Sequence, residues 1–115
     1  MSVTLYHNPQ CSKCREVLAL LRSRGVEPRL VEYLKTPPDR QTLTAILALL
    51  GMEPRELMRT KEAAYKENNL HDPDLTREAL IDAMVSHPRL IERPIAMTDK
   101  KAVVGRPPEK VLELL

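Results

Sequence analysis

The chain of 115 residues has no tryptophan and no phenylalanine, and its aromatics are three tyrosines, Tyr6, Tyr33 and Tyr65. Platforms on which successive nucleobases stack are therefore excluded, and no nucleic-acid partner is expected. No apolar run approaches the roughly 20 residues of a bilayer-spanning helix, and Met1 to Tyr6 is too short and uncharged to open a secretory signal. A cytoplasmic location without a membrane partner is expected. Neither sign of charge dominates: 18 Lys and Arg stand against 16 Asp and Glu, a formal net charge of +2. Any anion must therefore be met by a local site and not by a broad basic surface. Two cysteines cannot build a disulfide framework, and in a cytosolic chain such a pair is more often catalytic or metal-binding. What remains, 43% apolar and 30% charged, suits one domain over residues 1–115.

Val3 to His7 is rich in β-branched and aromatic residues and runs into Asn8-Pro9, the pattern of a strand meeting a turn. From Cys14 onward, Val17, Leu18 and Leu21 recur at helical spacing, and Gly25 supplies a left-handed terminator. Arg29 to Leu34 alternates again, so the first 34 residues read as a βαβ unit with parallel strands. Asp39 then opens a helix with Leu43, Ile46, Leu47 and Leu50 on one face and Gly51 at its end. Weak periodicity allows short helical turns at Pro54–Met58 and Lys61–Glu67. A firmer helix follows, with Thr76 as N-cap and Leu80, Ile81, Met84 and Val85 facing inward, closed by His87-Pro88. Ile95–Met97 and Ala102–Gly105 read as a hairpin, and a last helix from Pro107-Pro108 carries Val111, Leu112 and Leu115. This order has the parallel first half and antiparallel second half of a thioredoxin-like α/β domain: a mixed four-stranded sheet with a helical insertion at about 35–88.

The chemistry gathers at Cys11-Ser12-Lys13-Cys14, between the first strand and the first helix. Unpaired N–H groups and the positive dipole end of a helix favour a thiolate, and Lys13 and Arg15 add positive charge, so Cys11 is expected to be acidic for a thiol. Cys14 lies on the apolar stripe of the helix and reads either as a core thiol or as a second, resolving or switch cysteine. Zinc is not expected, because His71 and His87 are isolated and no second ligand pair exists at metal spacing. His7 lies four residues before Cys11, and its imidazolium or N–H can favour the thiolate; position alone favours a half-exposed strand-end residue. Among the arginines, Arg22, Arg24, Arg29, Arg40, Arg55, Arg77 and Arg89 fall on helix faces or polar runs and read as solvated charges. Arg59, Arg93 and Arg106 sit at junctions, where binding residues collect. If they converge on the thiolate, their planar, permanently charged donors suit a tetrahedral oxyanion.

His7-Asn8-Pro9 with Cys11, Tyr33-Leu34, Pro37-Pro38, Leu57-Met58-Arg59, His87-Pro88, Arg93-Pro94-Ile95 and Gly105-Arg106-Pro107 together resemble the glutaredoxin-coupled arsenate reductase family over nearly the whole chain. The resemblance implies a thioredoxin-like fold with a cis peptide at Pro94. It makes Cys11 the nucleophile, Arg59, Arg93 and Arg106 the oxyanion ligands, and His7 an aid to thiol ionisation. It further implies that arsenate forms a covalent adduct with Cys11, which glutathione attacks as co-substrate and glutaredoxin clears, with no tightly bound cofactor. Cys14 departs from the pattern of the best-known members and opens a route through a Cys11–Cys14 disulfide. The cysteine pair is also similar to that of the Spx group, redox-sensing regulators that bind RNA polymerase. Against that alternative, the Spx pattern lacks an arginine at the place of Arg106 and does not begin with His-Asn-Pro.

Overall fold

The structure, a computed structural model, describes residues 2–115. These fall into two compact units, one formed by the chain up to Thr36 together with Arg93–Leu115, the other by Pro37–Glu92.

The first unit carries strands β1 (Thr4–His7), β2 (Arg29–Glu32), β3 (Ile95–Met97) and β4 (Ala102–Val104) in the order β2-β1-β3-β4. β1 runs parallel to β2, with Thr4 opposite Arg29 and His7 opposite Glu32, and antiparallel to β3, with Leu5 opposite Ala96. β3 and β4 form the hairpin, with Ala96 opposite Val103. Leu5, Ala96 and Val103 thus make a row across the sheet. They share one buried cluster with Val17 and Leu21 of helix α1 (Ser12–Ser23) and with Val111 and Leu114 near the C-terminus. Each Val or Leu side chain among them contributes about 1.5–3 kcal/mol by leaving water, which holds α1 over the sheet. The helix stops where expected: Gly25 has φ +77°, and the N–H groups of Gly25 and Val26 return to the carbonyls of Arg22 and Leu21.

The end of β2 and the type of the last helix differ from expectation. β2 ends at Glu32 and not Leu34, because the Glu32 carbonyl accepts from both Lys35 and Thr36 N–H and turns the chain. The last helix is a 3-10 helix over Pro108–Leu114. Its buried residues Pro108, Val111 and Leu114 recur every third position, the period that a 3-10 helix keeps on one face, while Leu115 is exposed.

The second unit is the helical insertion, running from Pro37 to Glu92. It contains α2 (Arg40–Leu50), α3 (Pro54–Leu57), α4 (Ala63–Glu67) and α5 (Arg77–Ser86), followed by a 3-10 turn at Pro88–Leu90. Asp39 caps α2 by accepting from Thr42 N–H at 2.7 Å, Gly51 ends it at φ +68°, and Thr76 caps α5 through Ala79 N–H. Its interior is formed by Leu43, Ile46, Leu47, Leu57, Ile81, Met84 and Leu90, all buried. A bridge between Met58 and Ile91 ties the residue after α3 to the C-terminal end of the unit.

Candidate active site

Between β1 and α1 the chain makes a tight turn, in which Cys11 N–H donates to the Asn8 carbonyl at 2.9 Å and Gln10 N–H to Asn8 Oδ1 at 3.0 Å. Arg15 clamps the turn from the helix, its Nη1 reaching the Pro9 carbonyl at 2.9 Å. Cys11 is thereby the residue just ahead of α1, with extended backbone (φ −94°, ψ 123°) and no side-chain cap. Its sulfur is buried at the positive end of the helix dipole, where negative charge is favoured.

Arg106 stands directly beside that sulfur. Its Nη2 lies 3.9 Å from Cys11 Sγ while its Nε donates to the Arg93 carbonyl at 2.7 Å. One end of the guanidinium is therefore fixed by backbone and the other presented to the cysteine. Arg93 itself is half-buried, with Nε and Nη1 inside the protein. The Arg93–Pro94 peptide is cis, and so is Arg106–Pro107, which no sequence signal indicated. Gly105 explains how these segments come so close. A β-carbon there would lie 2.7 Å from Val17 Cγ2 and 3.0 Å from Pro94 Cγ, and its N–H donates to the Pro94 carbonyl at 2.8 Å.

His7 is not the half-exposed strand-end residue that its position allows. It is 5% exposed, on an inner strand of the sheet where Leu5, Tyr6 and His7 are all buried. Burial pushes its pKa below the ordinary 6.5, with Arg22 and Arg15 adding to the shift and Glu32 opposing it. The ring is neutral at pH 7, which removes the imidazolium option and leaves only an N–H. It lines a cleft of about 260 Å³ with Asn8, Pro9, Gln10, Glu32, Leu34 and Lys35.

Cys14 is fully buried and, like Cys11, a free thiol. It lies in the first turn of α1, three positions after Cys11, with the Asn8 backbone and the Cys11 side chain in its surroundings. Its pKa is pushed up to about 12, first by desolvation and then by the Cys11 sulfur, against Asn8 and Arg106. Cys14 therefore holds its proton at neutral pH.

Arg59 belongs to the second unit, where its Nη1 pairs with Glu62 at 2.8 Å and its Nε lies 3.9 Å from Glu92. Arg55, expected as a solvated charge, is half-buried there and donates to the carbonyls of Leu70 and Asp72. Those acceptors lie beyond the helical neighbour range, so periodicity could not reveal them.

In the first unit, then, the fold brings together two thiols, a helix N-terminus and an arginine tied to the backbone of a second arginine. A sequence profile described as the ArsC family matches residues 6–114. The chain belongs to the ArsC family. It is 47% identical over 116 residues to an arsenate reductase of Haemophilus influenzae, with the whole of both chains covered. It is 58% identical to YfgD of Escherichia coli K12, an uncharacterized protein, over 98% of this chain and 96% of that one. Its fold matches that of an arsenate reductase from Vibrio cholerae with a TM-score of 0.97 at 52% identity, covering 100% of this chain and 98% of the other. The thioredoxin-like mixed sheet read from element order is the fold of this ArsC-family chain.

Proposed function

We propose that this protein reduces arsenate to arsenite through a covalent adduct on Cys11, in the cytoplasm, with electrons from glutathione and glutaredoxin. The observation that carries the reading is the Arg106 guanidinium held 3.9 Å from the Cys11 sulfur by the Arg93 carbonyl. A fixed cation at that position stabilises an anionic sulfur and lessens its repulsion of an arriving dianion, which is what attack on arsenate requires. ArsC-family membership and the arsenate reductases among its relatives supply the choice of arsenic.

The sulfur of Cys11 forms a bond to arsenic, and an arsenate oxygen leaves as water after taking up protons. Arg93 and Arg106 bind the remaining oxygens, and Arg59 is a third ligand on the strength of the sequence resemblance. His7 contributes a neutral N–H that orders the site around the thiolate. A second thiol then breaks the sulfur–arsenic bond, the electron pair goes to arsenic, and arsenite is released.

The test is arsenate-dependent NADPH oxidation coupled through glutathione reductase, with and without glutaredoxin. Wild-type protein is expected to turn over and Cys11→Ser to be inactive. Absence of turnover by wild-type protein would sink the reading, and retention of RNA polymerase by that inactive protein would put the redox-regulator alternative in its place.

A further inference from the structure

We propose that Cys14 is the second thiol of the reaction: it attacks the Cys11 sulfur of the arsenate adduct, releases arsenite, and leaves a Cys11–Cys14 disulfide for glutathione and glutaredoxin to reduce. The inference rests on the arsenate reading and specifies which sulfur performs the displacement.

Three observations carry it. Cys11 is the residue just ahead of α1 and Cys14 lies three positions on in its first turn, which the bond from Arg15 N–H to the Cys11 carbonyl closes, so Cys14 is held near any group that Cys11 carries without a diffusional encounter. Cys11 is 7% exposed and Cys14 not at all, so Cys14 lies on the interior side of the pair. Cys14 is wholly enclosed, so the Cys11 sulfur is the electrophile within its reach.

Desolvation is the largest of the causes that hold the Cys14 proton, with the Cys11 side chain adding to it and Asn8 and Arg106 opposing it. Bonding of Cys11 to arsenic removes the Cys11 contribution, so the Cys14 thiol becomes easier to ionise while burial still opposes its charge.

The step balances. A sulfur–sulfur bond forms and the sulfur–arsenic bond breaks, with its electron pair reducing As(V) to As(III). The Cys14 proton passes to an arsenic oxygen of the departing arsenite. The two thiols are oxidised to one disulfide, and glutathione with glutaredoxin returns the two electrons.

The experiment is a single turnover under anaerobic conditions, with reduced wild-type protein freed of small thiols and mixed with excess arsenate. The expected result is one arsenite per chain, loss of both free thiols, a mass lower by two hydrogens, and a peptide map joining Cys11 to Cys14. Cys14→Ser and Cys14→Ala are expected to release no arsenite until glutathione is added. Wild-type protein that keeps its thiols and releases no arsenite here, yet turns over in the full coupled system, would overturn this proposal and leave the arsenate reading intact. No turnover in any arm would remove both. A wild-type measurement decides the matter even if the Cys14 variants fold poorly.

Discussion

At the residue scale, the site turns on charge held still. Arg106 is tied by Nε to a carbonyl, so its Nη2 is held beside the Cys11 sulfur without a further loss of side-chain freedom. Replacing Arg106 by Ala is expected to weaken arsenate or sulfate binding by about 10- to 100-fold, the equivalent of roughly 1.5–3 kcal/mol for a hydrogen bond to a charged group. Arg106→Lys should recover only part of it, and unchanged affinity measured by calorimetry would remove Arg106 from the anion site. His7 makes a different kind of prediction. Its folded pKa lies below 6.5, so below that pH the unfolded chain binds a proton that the folded one does not. Stability should be flat in this term above about pH 6.5 and fall as pH drops toward the folded pKa, and His7→Gln should flatten the fall. Urea midpoints for both proteins at about pH 5 and pH 8 check the sign. The sequence marked Arg106 and His7 as candidates, but neither the bond to the Arg93 carbonyl nor the burial of His7. Burial at the end of β1 depends on what packs over the strand, which is not local.

At the scale of elements, the sequence was far more legible. β1, α1, the parallel β2, α2 with its Asp39 cap and Gly51 stop, and the β3–β4 hairpin lie within a residue or two of where periodicity and turn chemistry put them. These signals are local, and tertiary packing agrees with them. Prediction lost ground where a choice depended on fit. The C-terminal segment is 3-10 because Pro108, Val111 and Leu114 must all face the core, a constraint set by the sheet and α1. Gly105 belongs to the same junction. Gly105→Ala places a methyl 2.7 Å from Val17 Cγ2, so α1 or the Gly105 segment must give way. The expected cost is about 1–3 kcal/mol. Arg106 is the next residue, so oxyanion affinity should fall along with the urea midpoint. Lost stability with unchanged affinity would show that the displacement is absorbed on the Val17 side.

For the whole molecule, the near-balance of 18 basic and 16 acidic side chains leaves little long-range field. Attraction of arsenate should thus come from a few fixed donors within hydrogen-bond reach, where screening by salt is weak. Raising ionic strength with potassium chloride from about 0.05 to 0.5 M is expected to lower kcat/KM for arsenate by less than about tenfold. A fall of several hundredfold would point instead to steering by the entire surface. The sequence indicated this global balance directly, and it indicated that Cys11 lies just ahead of α1. The pairing of Arg106 with Cys11, 95 positions away, had no local signature.

Arg93 and Arg106 stand at the two feet of the β3–β4 hairpin, and the bond from Arg106 Nε to the Arg93 carbonyl closes its base. The opposite end is the tip at Thr98–Lys101, where Asp99 and Lys100 are exposed. That tip can accept inserted residues, a reporter peptide or a new loop without altering the spacing of the two arginines, which makes it the natural place to graft onto this scaffold.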